Sequence, residues 1–139
     1  MRFWDSSALV PLFIEQPASA AVRQAIQDDP EVAYWWASPA ECWSAFARLR
    51  REGGIDAGAE SRVLGRLEAA RGAWLEILPH EALRRRAGQL LRVHALRAAD
   101  ALQLAAALAW GEEASGALVT FDERLALAAR LEGFEVVPG

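Results

Sequence analysis

Short β-branched and aromatic runs alternate with longer stretches patterned for helices, and this alternation restricts the fold most. Residues 2–4, 32–36, 74–78, 117–120 and 134–137 read as strands. Between them, helices are expected at 8–15, 17–27, 38 to about 53, 56–72, 79 to about 93, 98–110 and 122–131. Strands separated by helices or helix pairs need crossover connections, which produce parallel pairing. The expected fold class is therefore α/β, a three-layer α/β/α sandwich with a central parallel sheet. No linker or repeat interrupts the 139 residues, so one domain over 1–139 is expected.

Composition narrows the function classes. With 53% hydrophobic and 24% charged residues, the chain can build a globular core. No apolar run approaches the roughly 18 residues of a membrane span. Asp5 and Glu15 in the first stretch argue against a signal peptide. A single cysteine, Cys42, excludes an internal disulfide and any multi-cysteine metal site, and a reducing cytoplasm is the simplest location. The formal net charge of −4 leaves no long basic footprint. All 15 basic residues are arginine. The absence of lysine excludes Schiff-base chemistry, a Walker A loop and a phosphate-accepting receiver site.

Four acids fall at points that a parallel sheet would gather on one edge. Asp5 follows the first strand, and Asp122 follows the fourth. Glu41 and Asp100 sit in the first turns of their helices. Ligand sites in such sheets lie beyond the carboxyl ends of the strands. Each acid alone also reads as a helix cap, and Ser38-Pro39-Ala40-Glu41 matches a capping box. The helix after Asp100 is apolar nearly all round, with Gln103 almost the only other polar group, so Asp100 is expected to face protein. Glu41 borders the apolar face of Cys42, Ala45, Phe46 and Leu49 and is expected to lean inward too.

Clustered, partly buried carboxylates repel one another unless a cation joins them. An all-oxygen donor set suits the hard ions Mg²⁺ or Mn²⁺. That chemistry suggests metal-dependent hydrolysis of a phosphodiester. A haloacid-dehalogenase-like phosphatase would need a second aspartate two residues after Asp5, where Ser7 stands. A non-catalytic module in which the acids only cap helices is the remaining rival.

Four segments carry a family resemblance: DSSALVPLF at 5–13, SPAECWSAFARL at 38–49, LRAADALQLAAAL at 96–108 and LVTFDERLALAARLEGFEVV at 118–137. In order and spacing they resemble a PIN domain, and within that family the VapC-type toxins of bacterial toxin–antitoxin pairs. The resemblance implies an Mg²⁺- or Mn²⁺-dependent endoribonuclease directed at single strands. It carries the core acids over to Asp5, Glu41 and Asp100 and the more variable fourth acid to Asp122. Asp5 and Asp100 would hold the metal most directly, with Glu41 and Asp122 completing the pocket. Ser6 and Thr120 match small hydroxyl positions that support bound water. The implied partners are an RNA substrate, a cognate antitoxin protein and a second copy in a homodimer or higher assembly. An RNA-processing PIN nuclease without an antitoxin is the alternative.

Among other residues, Arg48 and Arg97 are candidate phosphate contacts, while Arg84 to Arg86 read as a solvated helix face. Trp4, Trp35, Trp36, Trp43, Trp74 and Trp110 are expected in core or subunit contacts rather than stacked on bases. Cys42 is expected to pack.

Overall fold

The computed structural model describes residues 1–111 and 116–139. Five strands, β1 (Arg2–Trp4), β2 (Val32–Trp35), β3 (Leu75–Ile77), β4 (Ala117–Val119) and β5 (Glu135–Val137), form one sheet in the order β3-β2-β1-β4-β5. Every pairing is parallel. The helices are α1 (Ser6–Phe13), α2 (Ser19–Asp28), α3 (Ser38–Arg51), α4 (Ala57–Arg71), α5 (Glu81–Val93), α6 (Ala98–Gly111) and α7 (Glu123–Leu131).

Alternation along the strands divides the core into two layers. Phe3, Ala33, Trp35, Leu118 and Val136 face α5, α6 and α7. Trp4, Val32, Tyr34 and Val119 face the opposite way, toward α1 to α4. The strands are apolar on both faces because both are covered, and the result is the expected α/β/α sandwich.

Several boundaries differ from the sequence reading. Helix α1 begins at Ser6 rather than at residue 8, because the Asp5 carbonyl already accepts from the amides of Ala8 and Leu9. Helix α2 starts at Ser19, two residues after Pro17, where the Ser19 hydroxyl accepts from the Gln16 amide and donates to the Pro11 carbonyl. Strand β2 ends at Trp35, leaving Trp36 54% exposed. Trp43 is exposed on α3 as well, so neither belongs to this chain's own core. No helix among the described residues is long and apolar enough to cross a membrane.

Candidate functional site

The chain leaves β1 toward β2 and β3 on one side and returns to β4 and β5 on the other, so strand order reverses between β1 and β4. A crevice opens beyond the carboxyl ends of strands at such a point. Here the exits of β1 and β4 are stitched together. The Asp5 amide donates to the Val119 carbonyl at 3.2 Å. The Phe121 amide donates to Ser7 Oγ at 2.9 Å, and the Asp122 amide donates to Thr120 Oγ1 at 3.1 Å. Ser7 Oγ and Thr120 Oγ1 stand 3.3 Å apart.

Asp5 occupies the N-cap position of α1, yet its side chain makes no capping bond. It accepts instead from Ser7 Oγ at 2.7 Å. At 3% exposure it is the most buried of the four acids. Burial pushes its carboxyl from the ordinary 3.8 up to about 7, against the opposing hydrogen bonds from Ser7, Thr120 and the Ala8 amide. The charge of Asp122 adds to the rise.

Glu41 forms no capping box. The N-cap of α3 is Ala37, and Ser38 lies inside the first turn, fully buried. The Glu41 carboxylate is held from both sides, accepting from Ser6 Oγ at 3.0 Å and from Gln103 Nε2 at 3.0 Å. Burial raises its pKa, the two hydrogen bonds lower it, and the charge of Asp100 raises it further.

Asp100 is half-buried rather than enclosed. It sits in the first turn of α6, and the mostly buried part of that helix begins one residue later at Ala101. Desolvation raises its pKa, as does the charge of Asp122, while Arg97 and Arg124 offset part of the rise. Asp122 does cap its helix: Oδ1 accepts from the Leu125 amide at 2.8 Å.

The four acids therefore share the carboxyl edge of the sheet and influence one another in pairs: Asp5 with Asp122, Asp122 with Asp100, Asp100 with Glu41. Among the described residues none of them pairs with an arginine within 4.0 Å. Nor do three acidic, histidine or cysteine side chains close on one point as a finished metal cage. Asp5 and Glu41 are instead held by separate serine donors, Ser7 and Ser6.

Two residues escaped the sequence reading. Gln103 is 1% exposed and its Nε2 donates both to Ser38 Oγ at 2.8 Å and to Glu41 Oε1. A lone amide on an otherwise apolar helix was the available signal. In the sequence, Ser7 counts only against a phosphatase and as part of the DSSALVPLF segment, yet its hydroxyl joins Asp5, Thr120 and the Phe121 amide. Cys42 is fully buried, and burial pushes its thiol up to about 12, so it packs rather than reacts.

Comparison with known proteins follows this geometry. The family model for the PIN domain matches residues 2–131. No curated protein matches the chain by sequence. Among solved structures, the chain is similar to VapC20 of Mycobacterium tuberculosis, a Sarcin-Ricin loop cleaving toxin, at TM-score 0.68 and 18% identity, covering 92% of this chain and 95% of that one. FitAcB of Neisseria gonorrhoeae superposes at TM-score 0.68 and 18% identity over 98% and 96%. A toxin–antitoxin complex from Klebsiella pneumoniae contributes a chain at TM-score 0.65 and 17% identity over 91% of each. A family match spanning nearly the whole chain, on a fold with an acid at each expected edge position, establishes that this protein belongs to the PIN-domain family, a family of nucleases.

Proposed function

We propose that the protein is a divalent-metal-dependent endoribonuclease and the toxin of a type II toxin–antitoxin pair. The observation that carries this reading is Asp5: a carboxylate 3% exposed, at the reversal point of the sheet, with no arginine paired to it among the described residues and three further acids along the same edge. A helix-capping module would use its acids as caps, and among the described residues Asp122 alone of the four makes a side-chain capping bond. The similarity to a toxin and to a chain of a toxin–antitoxin complex supports a cognate antitoxin, and the single cysteine, Cys42, suits a reducing cytoplasm.

The donors fit Mg²⁺ or Mn²⁺, since carboxylates and hydroxyls are hard oxygen ligands and neither histidine lies at this edge: His80 caps α5 and His94 pairs with Glu132. Asp5, Glu41, Asp100 and Asp122 would hold the ion. Its contribution when bound is to neutralise phosphate charge and to make water nucleophilic near neutral pH. The chain's own groups set the stage. Ser6 and Gln103 fix the two oxygens of Glu41, and Ser7 fixes one oxygen of Asp5. Water attacks phosphorus and the P–O3′ bond breaks, leaving a 5′-phosphate and a 3′-hydroxyl. The test is cleavage of single-stranded RNA with Mn²⁺ by wild type, Asp5→Ala and Asp100→Ala. Loss of activity in both variants supports the reading, and equal activity in all three removes it.

A further inference from the structure

A groove of about 480 Å³ runs from Glu41, Ser6 and Ser7 between α1 and α3 to Arg48. We infer that this groove is a subsite for the sugar–phosphate backbone of single-stranded RNA, next to the cleaved linkage. The inference rests on the nuclease reading above and names how that site takes its substrate.

Helix periodicity lays out the wall. Glu41, Ser44 and Arg48 follow at spacings of three and four, so they share one face of α3, with the Cα atoms of Glu41 and Arg48 about 10 Å apart along its axis. Arg48 is exposed and makes no ion pair among the described residues, whereas Arg23, Arg50, Arg71, Arg84, Arg85 and Arg86 each face a glutamate. A guanidinium without a carboxylate partner keeps its fork free for a phosphate.

The rest of the lining indicates which part of a nucleic acid enters. Among the described residues no aromatic side chain borders the groove, so bases have nothing there to stack on. Ser44 and Gln16 can each donate and accept, which suits a ribose 2′-hydroxyl beside a phosphate. Arg97 and Arg124 lie within electrostatic reach of Asp100. Cations thus stand near Asp100 as well as in the groove beside Glu41, which suits a polyanion crossing the acids. A larger cavity of about 730 Å³ opens at the opposite edge, near the amino ends of β4 and β5. Its arginines Arg85 and Arg86 already face Glu81 and Glu132, so among the described residues it offers no comparable free cation.

The experiment compares wild type, Arg48→Ala and Arg48→Lys on one oligoribonucleotide, with each phosphate in turn replaced by a neutral methylphosphonate. One replacement beside the cleaved bond should raise KM about tenfold in wild type and leave Arg48→Ala unchanged, because that variant has already lost the contact. Removing the 2′-hydroxyl of the same nucleotide should raise KM as well. Arg48→Lys should recover part of the affinity. Fluorescence anisotropy of the labelled strand should show binding weakened in Arg48→Ala, with the salt slope reduced by about one. Calorimetric Mn²⁺ binding should match wild type, which separates a substrate contact from a disturbed fold. RNA cleavage with Arg48-independent KM and affinity overturns the subsite. Arg48-dependent binding without cleavage overturns the nuclease reading and retains the subsite. Absence of both overturns both.

Discussion

Gln103 Nε2 donates to Glu41 Oε1 at 3.0 Å across 62 positions of sequence, and the same nitrogen donates to Ser38 Oγ. One buried amide on α6 thereby orients an acid on α3 and anchors the first turn of that helix. Gln103→Leu should leave the Ser38 hydroxyl short of a partner, costing about 1–3 kcal/mol of stability. It should also weaken Mn²⁺ affinity or turnover by about 10–100-fold, the usual effect of losing a group that orients a metal ligand. Urea denaturation and calorimetric metal titration measure the two effects separately.

Asp5 predicts a pH dependence whose sign follows from its raised pKa. The unfolded chain releases this proton near 3.8, and the folded chain holds it until about 7. The metal-free fold therefore loses stability as pH rises through that window, on the order of 4 kcal/mol at about 1.4 kcal/mol per unit. Glu41 and Asp100 are shifted in the same direction and contribute with the same sign. Asp5→Asn should flatten the profile and be more stable than wild type at pH 8 while losing cleavage. Urea titrations at pH 5 and pH 8 would refute this if the wild-type midpoint rises with pH.

Divalent metal should reverse that trend. Ligand carboxylates must be ionised to bind, so stabilisation by Mn²⁺ should grow from pH 5 to pH 8. At a hundred times its Kd, the ion should add about 2.7 kcal/mol. Thermal melts with Mn²⁺ or EDTA check this, and an Asp5→Asn/Asp100→Asn protein should show no difference between the two.

Asp122 has two separable uses. Asp122→Ser keeps a side-chain acceptor for the Leu125 amide and should hold stability within about 0.5 kcal/mol, whereas Asp122→Ala should lose about 1 kcal/mol. If the acid serves only as a cap, both variants cleave RNA at the wild-type rate. The proposed function instead expects both to be impaired alike.

Ser7→Ala should remove the acceptor of the Phe121 amide and the donor to Asp5 together. The expected cost is about 1–3 kcal/mol, with the Asp5 pKa rising further. The acid limb of the pH–rate profile should move upward. A profile that drops in height without moving would show that Ser7 acts on the fold alone.

Much of this protein is determined locally and could be read from the chain. Short β-branched and aromatic strand segments and apolar-patterned helices indicate their own type, and strands joined through helices favour parallel pairing, so the sandwich and the shared edge of Asp5, Glu41, Asp100 and Asp122 are legible from their order. Ser38 to Glu41 shows where local reading ends. Its pattern is that of a capping box, but Gln103 arrives from the opposite layer and takes both side chains into another network. Likewise, Asp5 abandons the cap its position offers because Ser7, held by the exit of β4, presents a donor to its carboxylate. Sequence places an acid within one turn of a helix start. Only packing decides which acid loses its water, which hydroxyl meets it and where a groove opens beside it, because desolvation and hydrogen bonding depend on residues distant in the chain.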